Sequence, residues 1–516
     1  MLNNRIVNNI LEYLEHTAQR LPDKVGYYDD REGFTFSQLT DICQRIGSCL
    51  AEHTEPFKPV ALLLDSRSVR NIPAQFGTVY AGCCFAPFDI LMPPERLKLM
   101  LDLLQPAVVL GDEKGLKAYE ACGFEGVPVV AYDDAVAHPI NEETLHNIRR
   151  RTSRFDPVSI WYTSGSTGIP KGAVHAHYTY INWGETSTAM YPLLESEVYA
   201  NQSPFFYSNC GMDLMGPILQ GSTTYIIPAG LLSFPQKFIQ CLQDHHVTEL
   251  TMTPTSYINL YNSGVVTPGC LPDMTIGFLS GETMPYEPLK AWMEAMPNAK
   301  WFYYYGATEM FAVAVKIMKE IPRDEGKKLP VGKPFYGQVH ILFVDENGNE
   351  VPYGEPGEML VSSPWLGLGY HRDPERTEAS WVIDPLGRGY YERFYKCGDV
   401  GYMTPEGELV VLGRRDTQIK HIGYRMEIGE VDAALSKIPG WKEGCVLFDR
   451  EHDKLWCFYN AELTEKQIKA ALKETLQRYM IPDVFVHLDE MPHTATMKLN
   501  RAALAQMMQA EQPKNE

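Results

Sequence analysis

The sequence predicts an α/β protein with a second, small α+β domain at its C-terminal end, on three observations. Short apolar runs rich in Val, Ile, Tyr and Leu alternate with helical patterns through most of the chain, the pattern of strands and crossover helices in a largely parallel sheet. At 516 residues the chain can bury several cores, so two or three domains are expected. Near residue 400 the texture changes, and the roughly 100 residues that follow suffice for a compact domain.

In order, the apolar runs 59–64, 108–111, 127–131, 158–163, 223–227 and 249–252 read as strands, with helical patterns at 97–104 and 235–243 between them. In such a layout, sites collect at the carboxyl ends of strands. Residues 407–416 read as a strand running into a charged break. Beyond it come a strand-like run at 419–426, a helix from about Gly429, strands near 445–448 and 455–459, and an amphipathic helix from Thr464 to about Tyr479. No repeat and no low-complexity tract is visible, and the polar tail from Ala510 is expected to fray.

Lys and Arg number 46 against 65 Asp and Glu, a net charge of −19. That balance disfavours a broad grip on nucleic acid or anionic lipid, and leaves room for a small local anion site. Eleven cysteines show no CxxC spacing, which reads as reduced thiols without a disulfide frame or zinc site. The N-terminus lacks an apolar segment behind a basic flank, and no apolar run approaches the roughly 18 residues that span a bilayer. A soluble, cytoplasmic protein without a membrane partner is expected.

The strongest chemical signal is Trp161-Tyr-Thr-Ser-Gly-Ser-Thr-Gly-Ile-Pro-Lys-Gly172, at the end of an apolar strand. Gly165, Gly168 and Gly172 let backbone N–H groups approach a ligand. Thr163, Ser164, Ser166 and Thr167 add hydroxyls, and Lys171 adds charge, a combination suited to polyphosphate. It is not a Walker A loop, because Pro170 precedes the Lys and Gly172 follows it. A bare flexible turn is the plainer reading, and six Ser, Thr and Gly residues in a row before Pro-Lys-Gly argue against it.

The segment resembles the signature loop of the acyl-adenylate-forming superfamily, and further segments match in the expected order. Val79-Tyr-Ala-Gly-Cys-Cys-Phe-Ala-Pro-Phe-Asp89, Ser280-Gly-Glu-Thr-Met-Pro285, Tyr303-Tyr-Tyr-Gly-Ala-Thr-Glu309, Gly367-Leu-Gly-Tyr370, Tyr395-Lys-Cys-Gly-Asp399, Gly413-Arg-Arg-Asp416, Gly423-Tyr-Arg-Met-Glu427 and Met497-Lys-Leu-Asn-Arg501 complete the set. The closest likeness is to adenylation domains of nonribosomal peptide synthetases and to stand-alone D-alanine-type carrier-protein ligases. The resemblance implies a large domain of α/β layers with mixed sheets, residues 1–415. A small mobile α+β domain, 416–516, would turn about a hinge near Asp416.

It also implies ATP and Mg²⁺, and a reaction in two halves: adenylation of a carboxylate, then attack by a thiol. Thr163 to Lys171 would hold the β- and γ-phosphates, Glu309 would ligate Mg²⁺, and Thr308 would contact the α-phosphate. Tyr305 would stack on adenine, while Asp399 and Arg414 would take the ribose. Lys498 would neutralise charge between the attacking carboxylate and the α-phosphate, although Thr496-Met497 replaces the usual Asn-Gly before it. Gly423 would let a pantetheine arm pass in the thiol step.

The resemblance places the acid in a pocket of Ser208, Asn209, Met212, Asp213, Thr255, Phe278, Ser280, Tyr304, Ala312 and Val313. Where relatives hold an α-ammonium with Asp in Phe-Asp-x-Ser, this chain has Tyr207-Ser208. That departure weighs against an ordinary α-amino acid, since a buried ammonium needs a carboxylate. Asp213 would suit an amine farther from the carboxylate, and Asn209 a hydroxyl of an aryl acid. Because no carrier segment follows Lys498, the acyl group is expected to pass to a carrier protein in trans or to CoA. A catalytically degenerate nucleotide-binding protein is the reading from another class. His175 and His177 read as packing residues, His245 and His246 as a solvated helix end, and Lys420 with Arg425 as a basic patch for docking the carrier.

Overall fold

The computed structural model of the chain describes residues 6–164, 169–190, 194–282, 284–323, 328–335, 337–415, 418–493 and 499–510, the side chains of Met212, Asp213 and Ala502 lying outside that description. Its largest sheet has nine strands. Val25–Tyr28, Thr223–Ile226, Val198–Asn201, Glu249–Met252, Ile276–Ser280 and Lys300–Ala307 lie side by side and parallel. Antiparallel strands close the edges: Gly33–Thr35 on one side, Phe311–Met318 and Lys333–Pro334 on the other. A second sheet sets Pro157–Thr163, Cys84–Pro87, Pro59–Leu63, Val108–Gly111 and Val129–Ala131 in parallel, with Lys171–Ala176 and Gly369–Tyr370 antiparallel at one edge.

Both large sheets are thus mixed. Continuous apolar runs fit this because parallel strands are covered on both faces: every residue of Pro59–Leu63 and of Val108–Gly111 is buried. The helix Asn71–Tyr80 is buried along its whole length, in a core that draws Tyr27 and Ile226 from one sheet and Val60 and Phe85 from the other. A five-stranded sheet follows, in which Arg393–Met403 pairs with Leu409–Arg414 and sets Asp399 opposite Arg414.

The smaller C-terminal domain begins with a hairpin, Gln418–His421 and Tyr424–Glu427, and is built on a sheet of Trp441–Asp449, Lys454–Ala461 and Val484–His487. Alternation sorts its two faces. Leu455 and Cys457 pack with the helices Ile428–Leu435 and Glu465–Thr475, while Trp456 and Phe458 pack with Arg501–Ala510. The helix anticipated to run to Tyr479 starts on a capping box of Thr464 and Gln467 but stops at Thr475. Leu476 turns extended (φ −113°, ψ 151°) and drops into the core. All eleven cysteines are free thiols. Among the described residues, no helix is long and apolar enough to cross a membrane.

Candidate active site

The carboxyl ends of the central strands of the nine-stranded sheet and the hairpin of the small domain enclose a cleft of about 1010 Å³. Its anion-binding end is set by register. Thr163 pairs with Lys171, so the Lys171 side chain returns beside the strand end. Its ammonium lies 3.1 Å from Glu309 and 2.8 Å from the Tyr370 hydroxyl. Ser164 is buried and donates to the Arg425 carbonyl at 3.2 Å. Gly165, Ser166, Thr167 and Gly168 lie outside the described residues.

Glu309 is fully buried. It accepts from Tyr370 at 2.9 Å and is paired with Arg425 at 2.7 Å as well as with Lys171. Burial alone would raise its carboxyl; the Arg425 and Lys171 charges outweigh it and hold the group well below the usual carboxylate range. Two cations face Glu309, and the buried Glu427 also acts on Lys171, so this corner gathers two cations and two acids beside the phosphate loop.

Among the residues expected to take the ribose, the Tyr305 hydroxyl donates to Asp399, and Arg414 lies 3.3 Å from the same carboxylate. Arg414 also donates to the Cys397 carbonyl at 2.7 Å. These residues meet because antiparallel pairing brings 399 and 414 level and because the strand Lys300–Ala307 delivers Tyr305 at its end.

The acyl end is aromatic. Phe278 and Tyr304, on adjacent strands, stack with centroids 5.9 Å apart, and Ser280, Thr255 and Ala312 line the same cavity. Asn209 reaches Ser280 at 3.5 Å. Ser208, expected to stand in for an Asp, shares a 2.8 Å hydrogen bond with Thr308. Val313, anticipated in the pocket, is fully buried in the core, because alternation along Phe311–Met318 turns it away from the face of Ala312. Met212 and Asp213 have side chains outside the described set, and Asp416 and Lys498 lie outside the described residues altogether.

The hairpin of the small domain reaches into this cleft. Gly423 has φ +81°, and a Cβ there would come 2.9 Å from the Thr253 hydroxyl, so only glycine fits both the backbone and the gap. Lys420 donates to the Gly281 carbonyl and Arg425 holds Glu309. Both therefore face inward, which corrects the expectation of a basic docking patch: hairpin pairing turns these two residues toward the large domain. A second inter-domain ion pair joins Arg96 to Glu430, nearly buried on both sides. His245 is a further correction, since it stacks on Tyr225 at 3.7 Å instead of being a solvated cap. His175 and His177 are buried packing residues.

Glu282 and Glu249 are among the acids of the cleft that sequence reasoning passed over. Glu282, within the matched Ser-Gly-Glu segment, accepts from the Thr255 hydroxyl at 2.6 Å. Glu249 lines the cavity at 1% exposure. The signal for Glu249 was present: a charged residue opening an apolar strand.

The fold and this cleft define an acyl-adenylate-forming ligase, an enzyme. The chain belongs to the AMP-binding enzyme family, whose sequence model matches residues 14–371. It is 27% identical over 513 residues to tyrocidine synthase 2 of Brevibacillus parabrevis, covering 98% of this chain and 14% of that protein; it therefore spans a small part of such relatives. In fold it is similar to the Vibrio cholerae adenylation domain AlmE, solved with glycyl-adenosine-5'-phosphate, at TM-score 0.83 and 18% identity over 99% of this chain and 100% of that one. It is also similar to o-succinylbenzoate CoA synthetase of Bacillus subtilis, at TM-score 0.80 and 21% identity over 96% and 98%.

Proposed function

We propose that the chain activates a small amino or aryl carboxylic acid with ATP and transfers it to the phosphopantetheine thiol of a carrier protein supplied in trans. The substrate carboxylate attacks the α-phosphate, giving an acyl-adenylate and pyrophosphate; the thiol sulfur then attacks the acyl carbon and AMP leaves. The observation that carries this reading is the nearly buried Lys171 ammonium, held beside the phosphate loop by the fully buried Glu309 and the Tyr370 hydroxyl. Preorganised charge of that kind favours a reaction that gathers negative charge.

In this reading Thr163 to Lys171 hold the β- and γ-phosphates, Thr308 contacts the α-phosphate, Tyr305 meets the adenine, and Asp399 with Arg414 takes the ribose. Glu309 suits Mg²⁺, being a buried carboxylate already matched to cations, and the ion would screen phosphate charge. Lys498 neutralises the attacking carboxylate in the first half-reaction. The small domain, 416–516, turns about Asp416 against residues 1–415 between the halves, and the seating of Gly423 against Thr253 supports its use in the thiol step. A cytoplasmic location accords with a substrate set of ATP and a carrier thiol.

Lys498→Ala tests the assignment. It should abolish acid-dependent pyrophosphate exchange with ATP while sparing transfer from a preformed acyl-adenylate; normal exchange in the variant would overturn it. Free CoA is the second reading, favoured by the likeness in fold to a CoA synthetase. Mass spectrometry of products formed with a phosphopantetheinylated carrier or with CoA separates the two.

A further inference from the structure

We infer that the closed end of the acyl pocket binds an ammonium group through Glu249, and that the acid activated carries its amine at the end remote from its carboxylate. The inference deepens, and rests on, the adenylating function proposed for the same cleft. Glu249 opens the strand Glu249–Met252, lines the cavity and is 1% exposed. Neither of its carboxylate oxygens has a hydrogen-bond partner among the described residues. Thr251, two residues on, lines the same cavity, as strand alternation requires.

A buried carboxylate without a partner is costly, and protein interiors seldom tolerate one unless something binds it. Burial, and after it the charge of another acid, Glu197, push the Glu249 carboxyl well above the usual range. Of the other acids that line the cleft, Glu282 meets Thr255 and the Lys420 charge, Asp399 meets Tyr305 and Arg414, Asp453 accepts from the Ile422 amide, and Glu451 is exposed. Glu249 is thus driven toward its neutral acid form, and an ammonium bound there would restore the carboxylate. Tyr199 is level with it on the neighbouring strand and lies 6.5 Å from Phe278, and Trp183 and Tyr304, 6.1 Å apart, line the same cavity. Aromatic faces around a carboxylate favour a cation over a neutral hydroxyl or an anion.

The reacting end lies elsewhere. Thr253, against which Gly423 is seated, is four residues along the chain from Glu249, about 13 Å at roughly 3.3 Å per residue. At that end Ser208 is bonded to Thr308 and supplies no carboxylate for an α-amine. An amine next to the substrate carboxylate is thus out of reach of Glu249, and one several carbons away comes within it. The class indicated is an ω-amino acid.

The test is pyrophosphate exchange with 3-aminopropanoate through 6-aminohexanoate, with hexanoate as the uncharged isostere of 5-aminopentanoate and norvaline as the α-amine probe. At least one ω-amino acid should exceed both hexanoate and norvaline in kcat/KM by about thirtyfold or more. Glu249→Gln should remove that preference by lowering the ω-amino acid while hexanoate is retained or improved, which also shows that the variant folds. Equal or better use of hexanoate or norvaline by the native enzyme, or an intact preference in Glu249→Gln, overturns the inference and leaves the adenylating function standing. Absence of exchange with every acid, including aryl acids, defeats that function and this inference together.

Discussion

Glu309 shows how one residue's chemistry depends on neighbours remote in sequence. Its carboxylate is joined by Lys171 from the phosphate loop, Tyr370 from an edge strand and Arg425 from the small domain. Arg425 occupies the carboxylate proposed to hold Mg²⁺, so in that reading the docked hairpin and a Mg²⁺-bound nucleotide would compete for Glu309. Arg425→Ala should therefore slow transfer to the thiol by at least about tenfold while leaving acid-dependent pyrophosphate exchange equal or faster, as separate assays of the two half-reactions would read. Glu309→Gln removes the charge that both use, and exchange should fall by about a hundredfold or more. The residue types here were legible in the matched motifs. Arg425 as the partner of Glu309 was not, because 116 positions of chain separate them.

At the scale of elements, the hairpin Gln418–His421 and Tyr424–Glu427 carries Lys420, Gly423 and Arg425 against the large domain, beside the Arg96–Glu430 pair. Its strand character was readable from the run at 419–426, but which face it offers was not. The face is set by its seat on Thr253, Gly281 and Glu309, whereas charge alone had suggested an outward patch. Gly423→Ala places a Cβ 2.9 Å from the Thr253 hydroxyl and forces φ +81° on an L side chain, costing about 1 kcal/mol or more in this docked arrangement. Acyl transfer should weaken and adenylation persist; Thr253→Ala in the same background should restore part of the transfer by opening the gap. Equal loss in both half-reactions would count against hairpin seating as the cause.

For the whole molecule, acid sensitivity should begin above the carboxylate range. His175 and His177 are buried, and burial pushes their pKa down to about 4 and about 3. The unfolded chain takes up these protons near pH 6.5 and the folded chain does not, so stability is full above about 6.5 and declines as pH falls toward 4, by about 1.4 kcal/mol per unit for each His. His177 accepts from the Ile10 amide at 3.2 Å, and Gln can preserve an acceptor. Urea midpoints at pH 7 and pH 5 should differ less in His177→Gln than in the native chain.

By itself the sequence determined the α/β alternation, the small C-terminal α+β domain, the phosphate loop and the ordered motifs that mark the family, because strand periodicity and local loop chemistry are written in adjacent residues. Tertiary structure decided the rest. It turned Lys420 and Arg425 inward, bonded Ser208 to Thr308, and left Glu249 without a hydrogen-bond partner among the described residues at the end of an aromatic pocket. Burial and charge pairing depend on which distant segments meet, and no local pattern in the chain encodes that meeting.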